Sequence, residues 1–257
     1  MSRLARPAVL IPLVIALVLI GAGAWWWSQA QSSTPVSAQK AEQDYGGDAT
    51  AGRVVPGGPR AGVWTYRASG DETVGAGPVS ADRRLPGTAR VVVRPAPGGF
   101  WRTLALSEEH VEASRLRSTP RGTLVVERVT TITVAGIGRD DRQMLVPPPL
   151  AYPRALEPGD SWVERYRMDE VRVLTRARVL RRDAVEVEGR RLPVLVIEKK
   201  GTVTGPIEGF RDDVQWWSVE LDMPVRWSIA TELDGFASLR MDAELVLESI
   251  APAAPTT

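Results

Sequence analysis

From residue 61 onward, apolar and polar positions alternate along the chain in short runs punctuated by glycine and proline. Val63-Trp64-Thr65-Tyr66-Arg67 alternates between Gly62 and Gly70, and Ala89 to Arg94 is β-branched between Pro86-Gly87 and Pro95. Phe100 to Leu106 alternates behind Gly98-Gly99, and Thr123 to Ala135 is a run of Val, Thr and Ile too branched for a favoured helix. Period-two runs of this kind predict half-buried strands. After Pro147-Pro148-Pro149, a stiff extended spacer, the Glu157-Pro158-Gly159-Asp160 turn leads into Ser161 to Asp169. Further strands are predicted over 171–182, 192–199, 214–220, 225–232 and 237–248, with a hairpin turn at Glu188-Gly189. The stretch Glu108 to Leu116 fits a helix and a strand equally well. Strands this closely spaced predict a mainly β protein with one antiparallel curved sheet, half-barrel or sandwich-like.

Alternation also fixes a register. Trp217, Val219 and Leu221 share one side of their strand, and Val225, Trp227 and Ile229 share one side of the next. Joining the two apolar sides requires an odd-length loop, most simply Leu221-Asp222-Met223. Trp217 and Trp227 are therefore expected as buried core neighbours, with Trp216 on the opposite face.

The N-terminal end has a different period. Ala8 to Trp27 carries no charge, follows Arg3 and Arg6, and closes with Trp25, Trp26 and Trp27. An α-helix needs about 20 apolar residues to cross a bilayer, arginines favour a cytoplasmic flank, and tryptophans suit the far headgroup layer. The expectation is a cytoplasmic N-terminus over 1–7, a transmembrane anchor over 8–27 and an extracytoplasmic domain over 61–250. A cleaved signal peptide, cut after Ala30 or Ala38, is the alternative. Residues 28–60, rich in Gln, Ser, Ala, Gly and Pro, read as a flexible linker, and 251–257 as a disordered tail.

Composition narrows the function. Beyond Arg3 and Arg6 the chain has 30 basic and 31 acidic residues, a charge of −1, whereas a nucleic-acid-binding domain would show a concentrated positive excess. There is no cysteine, so neither a disulfide nor a lipid-modified thiol is available. His110 is the single histidine, and no Gly-x-Ser-x-Gly elbow accompanies it, so it is expected to be a solvated surface imidazole rather than a catalytic base. Metal binding by His and Cys is excluded by ligand count. The acid pairs Glu108-Glu109, Asp140-Asp141, Asp169-Glu170 and Asp212-Asp213 would point to opposite faces if they lie on strands, which makes each a poor clamp for calcium. No catalytic residue, metal or cofactor is expected.

Two features carry binding chemistry. Arg172, Arg176 and Arg178 share one face of a strand with Leu174 and Leu180. Arginine forks match phosphate, so the strip suits anionic lipid headgroups or wall polymers, unless acids on a neighbouring strand balance it. Six tryptophans after residue 60, among them Trp216, supply either core or ligand groove.

The stretch from Trp216 to Trp227, with Pro224-Val225-Arg226 opening its second strand, resembles a signature of extracytoplasmic bacterial β-proteins. Leu156-Glu157-Pro158-Gly159-Asp160-Ser161-Trp162 looks like their entrance to the second half. That group is similar to the half-barrel carriers of lipoproteins and lipids. The resemblance covers about residues 151–248 and departs at Asp222-Met223, where the group tends to have Gly-Leu. It implies a curved antiparallel sheet that holds an acyl chain. The sequence thus predicts a non-enzymatic, membrane-tethered envelope domain that binds an apolar or lipid ligand, with Trp216, Arg172, Arg176 and Arg178 as candidate ligand residues. The alternative is a structural or protein-interaction module of an envelope complex.

Overall fold

The structure, a computed structural model, describes residues 33–46, 52–55, 57–76, 79–134, 137–235 and 237–253. The predicted anchor over 8–27 lies outside these residues; among those described, no helix is long and apolar enough to cross a membrane.

Among the described residues, fourteen strands form one antiparallel sheet. The first half holds β1 (Gly62–Ala76), β2 (Val79–Arg84), β3 (Thr88–Ala96), β4 (Gly99–Ala105) and β5 (His110–Thr119). It continues through β6 (Gly122–Val134), β7 (Ile137–Met144) and β8 (Leu150–Pro153). The second half holds β9 (Ser161–Met168), β10 (Val171–Val187), β11 (Arg190–Thr204), β12 (Glu208–Ser218), β13 (Met223–Asp234) and β14 (Ala237–Leu247). The stretch 108–116, ambiguous in sequence, is strand from His110 onward. Spatial order runs β7-β6-β5-β4-β3-β1-β14-β13-β12-β11-β10-β9, with β2 added to β1 and β8 to β6.

The two ends of that run nearly meet. Val146 N–H donates to Arg167 C=O at 3.0 Å and Arg167 N–H donates to Val146 C=O at 2.8 Å, an antiparallel bridge between the edge of β9 and the chain just after β7. The architecture is therefore mainly β, one nearly closed, barrel-like antiparallel sheet. Curling a long sheet in this way brings its two edges toward each other. Where β1 and β14 cross tightly, Gly70 (φ 123°) is required, since a Cβ there would lie 1.9 Å from Asp242 C=O. Glu188 and Gly189, at φ 50° and 72°, make the tight β10–β11 hairpin turn that needs two left-handed residues.

The inward positions alternate as the sequence pattern demands. Trp64, Tyr66, Val91, Leu104, Ile197, Trp217, Trp227, Ile229, Met241 and Leu245 all belong to one buried cluster. Trp217 and Trp227 are thus both core residues on the inner face, and Trp216 is on the other face, packed under the Arg226 guanidinium 4.7 Å away. The expected odd loop is not how this is achieved. The turn contains four residues, Val219 to Asp222, between the paired Ser218 and Met223. Beyond the Trp217–Pro224 pair, a bulge at Val225 brings Trp216 opposite Arg226 and restores the inward phase.

The outer face of β1, β3, β4 and β5 is covered by residues 34–45, so this described part of the stretch read as linker packs on the sheet. Helix α1 (Ala38–Ala41), capped by the Ser37 hydroxyl, continues as a π-helical turn over Glu42–Gly46. Val36 and Ala41, both fully buried, and Tyr45 pack on Val63, Val92, Ala105 and Val111. Glu108 N–H donates to Thr34 C=O at 2.9 Å, and the Thr34 hydroxyl donates to Glu109 Oε1 at 2.7 Å. The predicted tail is also partly ordered: Ala253 N–H donates to Val63 C=O at 2.8 Å.

Candidate ligand-binding site

Inward alternation places charged as well as apolar side chains inside the barrel. On β1, β5 and β12 the inward positions include Glu72, His110, Glu112, Arg211 and Asp213, and they connect. His110 Nδ1 lies 2.6 Å from Glu72 Oε2, and its Nε2 lies 3.5 Å from Glu112 Oε1. Arg211 Nη1 donates to that same Glu112 oxygen at 2.7 Å, while its Nε lies 3.5 Å from Asp213 Oδ1. Asp213 also accepts from the Trp227 indole at 3.2 Å, and Arg83 on β2 approaches Glu72 at 3.4 Å. The expectation of a solvated His110 is overturned: the residue is fully buried. Nothing in its local run Ser107-Glu108-Glu109 signals this, because its partners lie 38 residues upstream on β1 and two residues along its own strand.

Burial disfavours the imidazolium, yet the Glu112 and Glu72 carboxylates outweigh it and hold His110 up at about 9. Burial likewise opposes ionisation of Glu112, but the Arg211 guanidinium and then His110 keep its carboxyl well below the ordinary range. At neutral pH the row alternates in sign, which is how charges survive in an apolar interior.

A second buried pair bolts β8 into the barrel. Lys199 Nζ donates to Glu164 Oε1 at 2.7 Å and to Ala151 C=O at 2.9 Å, and lies 4.2 Å from the Tyr152 ring centre. Tyr152 in turn stacks on Trp217, centroids 4.1 Å apart, and its hydroxyl donates to Gln215 at 3.0 Å. Lys199, Glu164, Tyr152, Gln215 and Trp217 thus form one connected buried group.

Open space occurs at the seam. A cavity of about 510 Å³ lies beside the Val146–Arg167 bridge. Its apolar wall is Val146, Pro147, Tyr166, Val173 and Leu174, and its cationic wall is Arg165, Arg167 and Arg172. The volume lies within the range of small-molecule sites. A cation-rimmed apolar cleft is complementary to a molecule with an acyl or ring portion and an anionic head.

The structure places the sequence-predicted residues unevenly. Arg172 lines the cavity, and Arg176 and Arg178 continue along the same exposed outer face of β10. Trp216 is not with them; it is half-buried on β12, opposite Val196 and Arg226. Sequence reasoning missed Arg165, Arg167 and Val146. The alternation Glu164-Arg165-Tyr166-Arg167 signals two outward arginines, but no local pattern says that Val146 closes the barrel against them.

No protein-family model matches the chain, and no curated protein does. Among solved structures, the hypothetical lipoprotein YmcC from Escherichia coli (K12) is similar over 72% of this chain and 86% of its own, at 11% sequence identity and a TM-score of 0.36. An overlap this loose carries neither fold nor function across.

Proposed function

We propose that this protein is a non-enzymatic, ligand-binding barrel of the bacterial cell envelope, tethered by residues 8–27, that holds an anionic lipid at the seam between β9–β10 and Val146–Pro147. The observation that carries the reading is the seam cavity, with an apolar wall on one side and Arg165, Arg167 and Arg172 on the other. The uncharged run from Ala8 to Trp27, flanked by arginines and tryptophans, supports the tether. His110 is engaged by Glu72 and Glu112 inside the barrel, which supports a structural role for its ring.

In an antiparallel barrel alternate turns share an end, so the β4–β5 loop, the β9–β10 turn and the β11–β12 loop lie together. Thr34, where the N-terminal segment meets the barrel, bonds to Glu108 and Glu109 in the first of these. Arg167 and Arg172 flank the second.

The test is photocrosslinking of a photoactivatable anionic lipid to the full-length chain in nanodiscs. Adducts on Val146, Tyr166 or Val173, diminished by Val173→Trp, are expected. Adducts confined to residues 8–27 would refute the site.

A second reading has one specific observation behind it. Among the described residues the outer edge of β9 is bridged only at Arg167. The remaining backbone of that edge is free to take a partner's strand, the mode of an envelope interaction module.

A further inference from the structure

The outer face of β9, β10 and β11 concentrates positive charge in successive rungs. Arg167 pairs with Arg172, and Arg165 with Leu174. Val163 pairs with Arg176, which faces Lys200, and Ser161 with Arg178, which faces Glu198. Arg165, Arg167, Arg172, Arg176, Arg178 and Lys200 are all exposed. The acids of these rungs are Glu198, which lies 3.3 Å from Lys200, and Asp212 one strand on. Neighbouring strands therefore add cations to the Arg172–Arg178 strip rather than neutralising it, in a chain whose overall charge is only +1.

Apolar side chains stand exposed on this same face. Val163 is 54% exposed between Arg165 and Arg176, and Phe210, opposite Thr202, is 40% exposed. A soluble polyanion calls for the charges alone. Arginine with exposed Val and Phe suits an interface where phosphates lie next to acyl chains.

We propose that the outer face of β9–β10–β11 docks on the anionic headgroups of the bilayer to which the N-terminal segment leads, bringing the seam cavity to the lipid surface. This deepens the lipid-binding reading, but its test is separable, because Arg176, Arg178 and Lys200 do not line the cavity. Basic residues near an anionic surface contribute about 1 kcal/mol each, and salt screens them.

The chain has no cysteine, so Ser161→Cys, which pairs with Arg178 and does not line the cavity, gives a unique labelling site on this face. The full-length protein carrying a fluorophore there is reconstituted in liposomes containing headgroup-quencher lipid, either in neutral phosphatidylcholine or with about 30% phosphatidylglycerol. Quenching is expected to rise by at least about twofold with the anionic lipid and to fall back in ~0.5 M salt. It should also fall back in Arg176→Glu/Arg178→Glu/Lys200→Glu, while a label at Gln39→Cys on α1 shows no dependence on lipid charge. The charge-reversed protein should keep its lipid crosslinks at Val146, Tyr166 and Val173 and its thermal midpoint. Equal quenching in both lipids, or persistence of the rise in the charge-reversed protein, would overturn the proposal. So would binding of soluble polyglutamate to this face without lipid-dependent quenching, which would assign it to an anionic polymer.

Discussion

His110 and Glu72 meet inside the barrel at 2.6 Å with no solvent exposure on either side chain. The contact joins β5 to β1 across two intervening strands, and its charge state is coupled to the fold. His110 titrates at about 9 in the folded protein, above the ordinary value of about 6.5 in an unfolded chain. Its contribution to stability is therefore complete below about pH 6.5 and lost as pH rises through about 9, amounting to about 3 kcal/mol. Glu72 and Glu112 are held low, so theirs is present above the ordinary carboxylate value and lost as pH falls. Urea midpoints should decline between about pH 6 and about pH 9.5, and His110→Gln should flatten that limb. A wild-type midpoint constant over this interval would remove His110 from the account.

The Lys199–Glu164 pair should show the asymmetry of buried charge. Lys199→Met leaves Glu164 alone in the interior and is expected to cost about 3–5 kcal/mol. Adding Glu164→Leu should return most of that loss, because the two partners vanish together. Thermal or denaturant unfolding of the single and double variants decides. Additive losses would show that the pair does not interact as the 2.7 Å separation implies.

Trp217→Ala and Trp227→Ala should each cost about 3–5 kcal/mol, a large share of a domain's stability. Trp217 also loses its stack on Tyr152 and so loosens β8. Trp216→Ala, on the outer face under Arg226, should cost markedly less. Comparable losses at all three positions would mean that the inner and outer faces have been interchanged.

The N-terminal segment makes a prediction opposite to that for a free linker. Val36 is 1% exposed against Val63, Val92 and Val111, so Val36→Asp buries an unpaired carboxylate. Trypsin should leave Lys40 intact in the native protein and cleave there readily in Val36→Asp, as read by mass mapping of timed digests. Rapid cleavage at Lys40 in the wild type would restore the linker reading.

Much of the barrel is legible in the sequence because its cause is local. Period-two alternation between glycines and prolines predicts ten of the strands and the buried phase of Trp217 and Trp227. What escapes is non-local. The bulge at Val225 does the work that alternation assigns to an odd loop. The burial of His110 depends on carboxylates from two different strands, and Val36 looks like linker because its burial partners follow it by 27 residues or more. The candidate site divides in the same way. Arg172, Arg176 and Arg178 are read off one strand, whereas the cavity exists only because Val146 closes against Arg167.

The central claim, a lipid held at the seam, is tested most directly by native mass spectrometry of the full-length chain purified from membranes and released gently from detergent. The account predicts one retained anionic lipid per chain, lost when Val173→Trp fills the cavity and weakened by Arg167→Glu, whose backbone bridge to Val146 is kept. A bare protein mass in the wild type, or a lipid adduct indifferent to both substitutions, would contradict it.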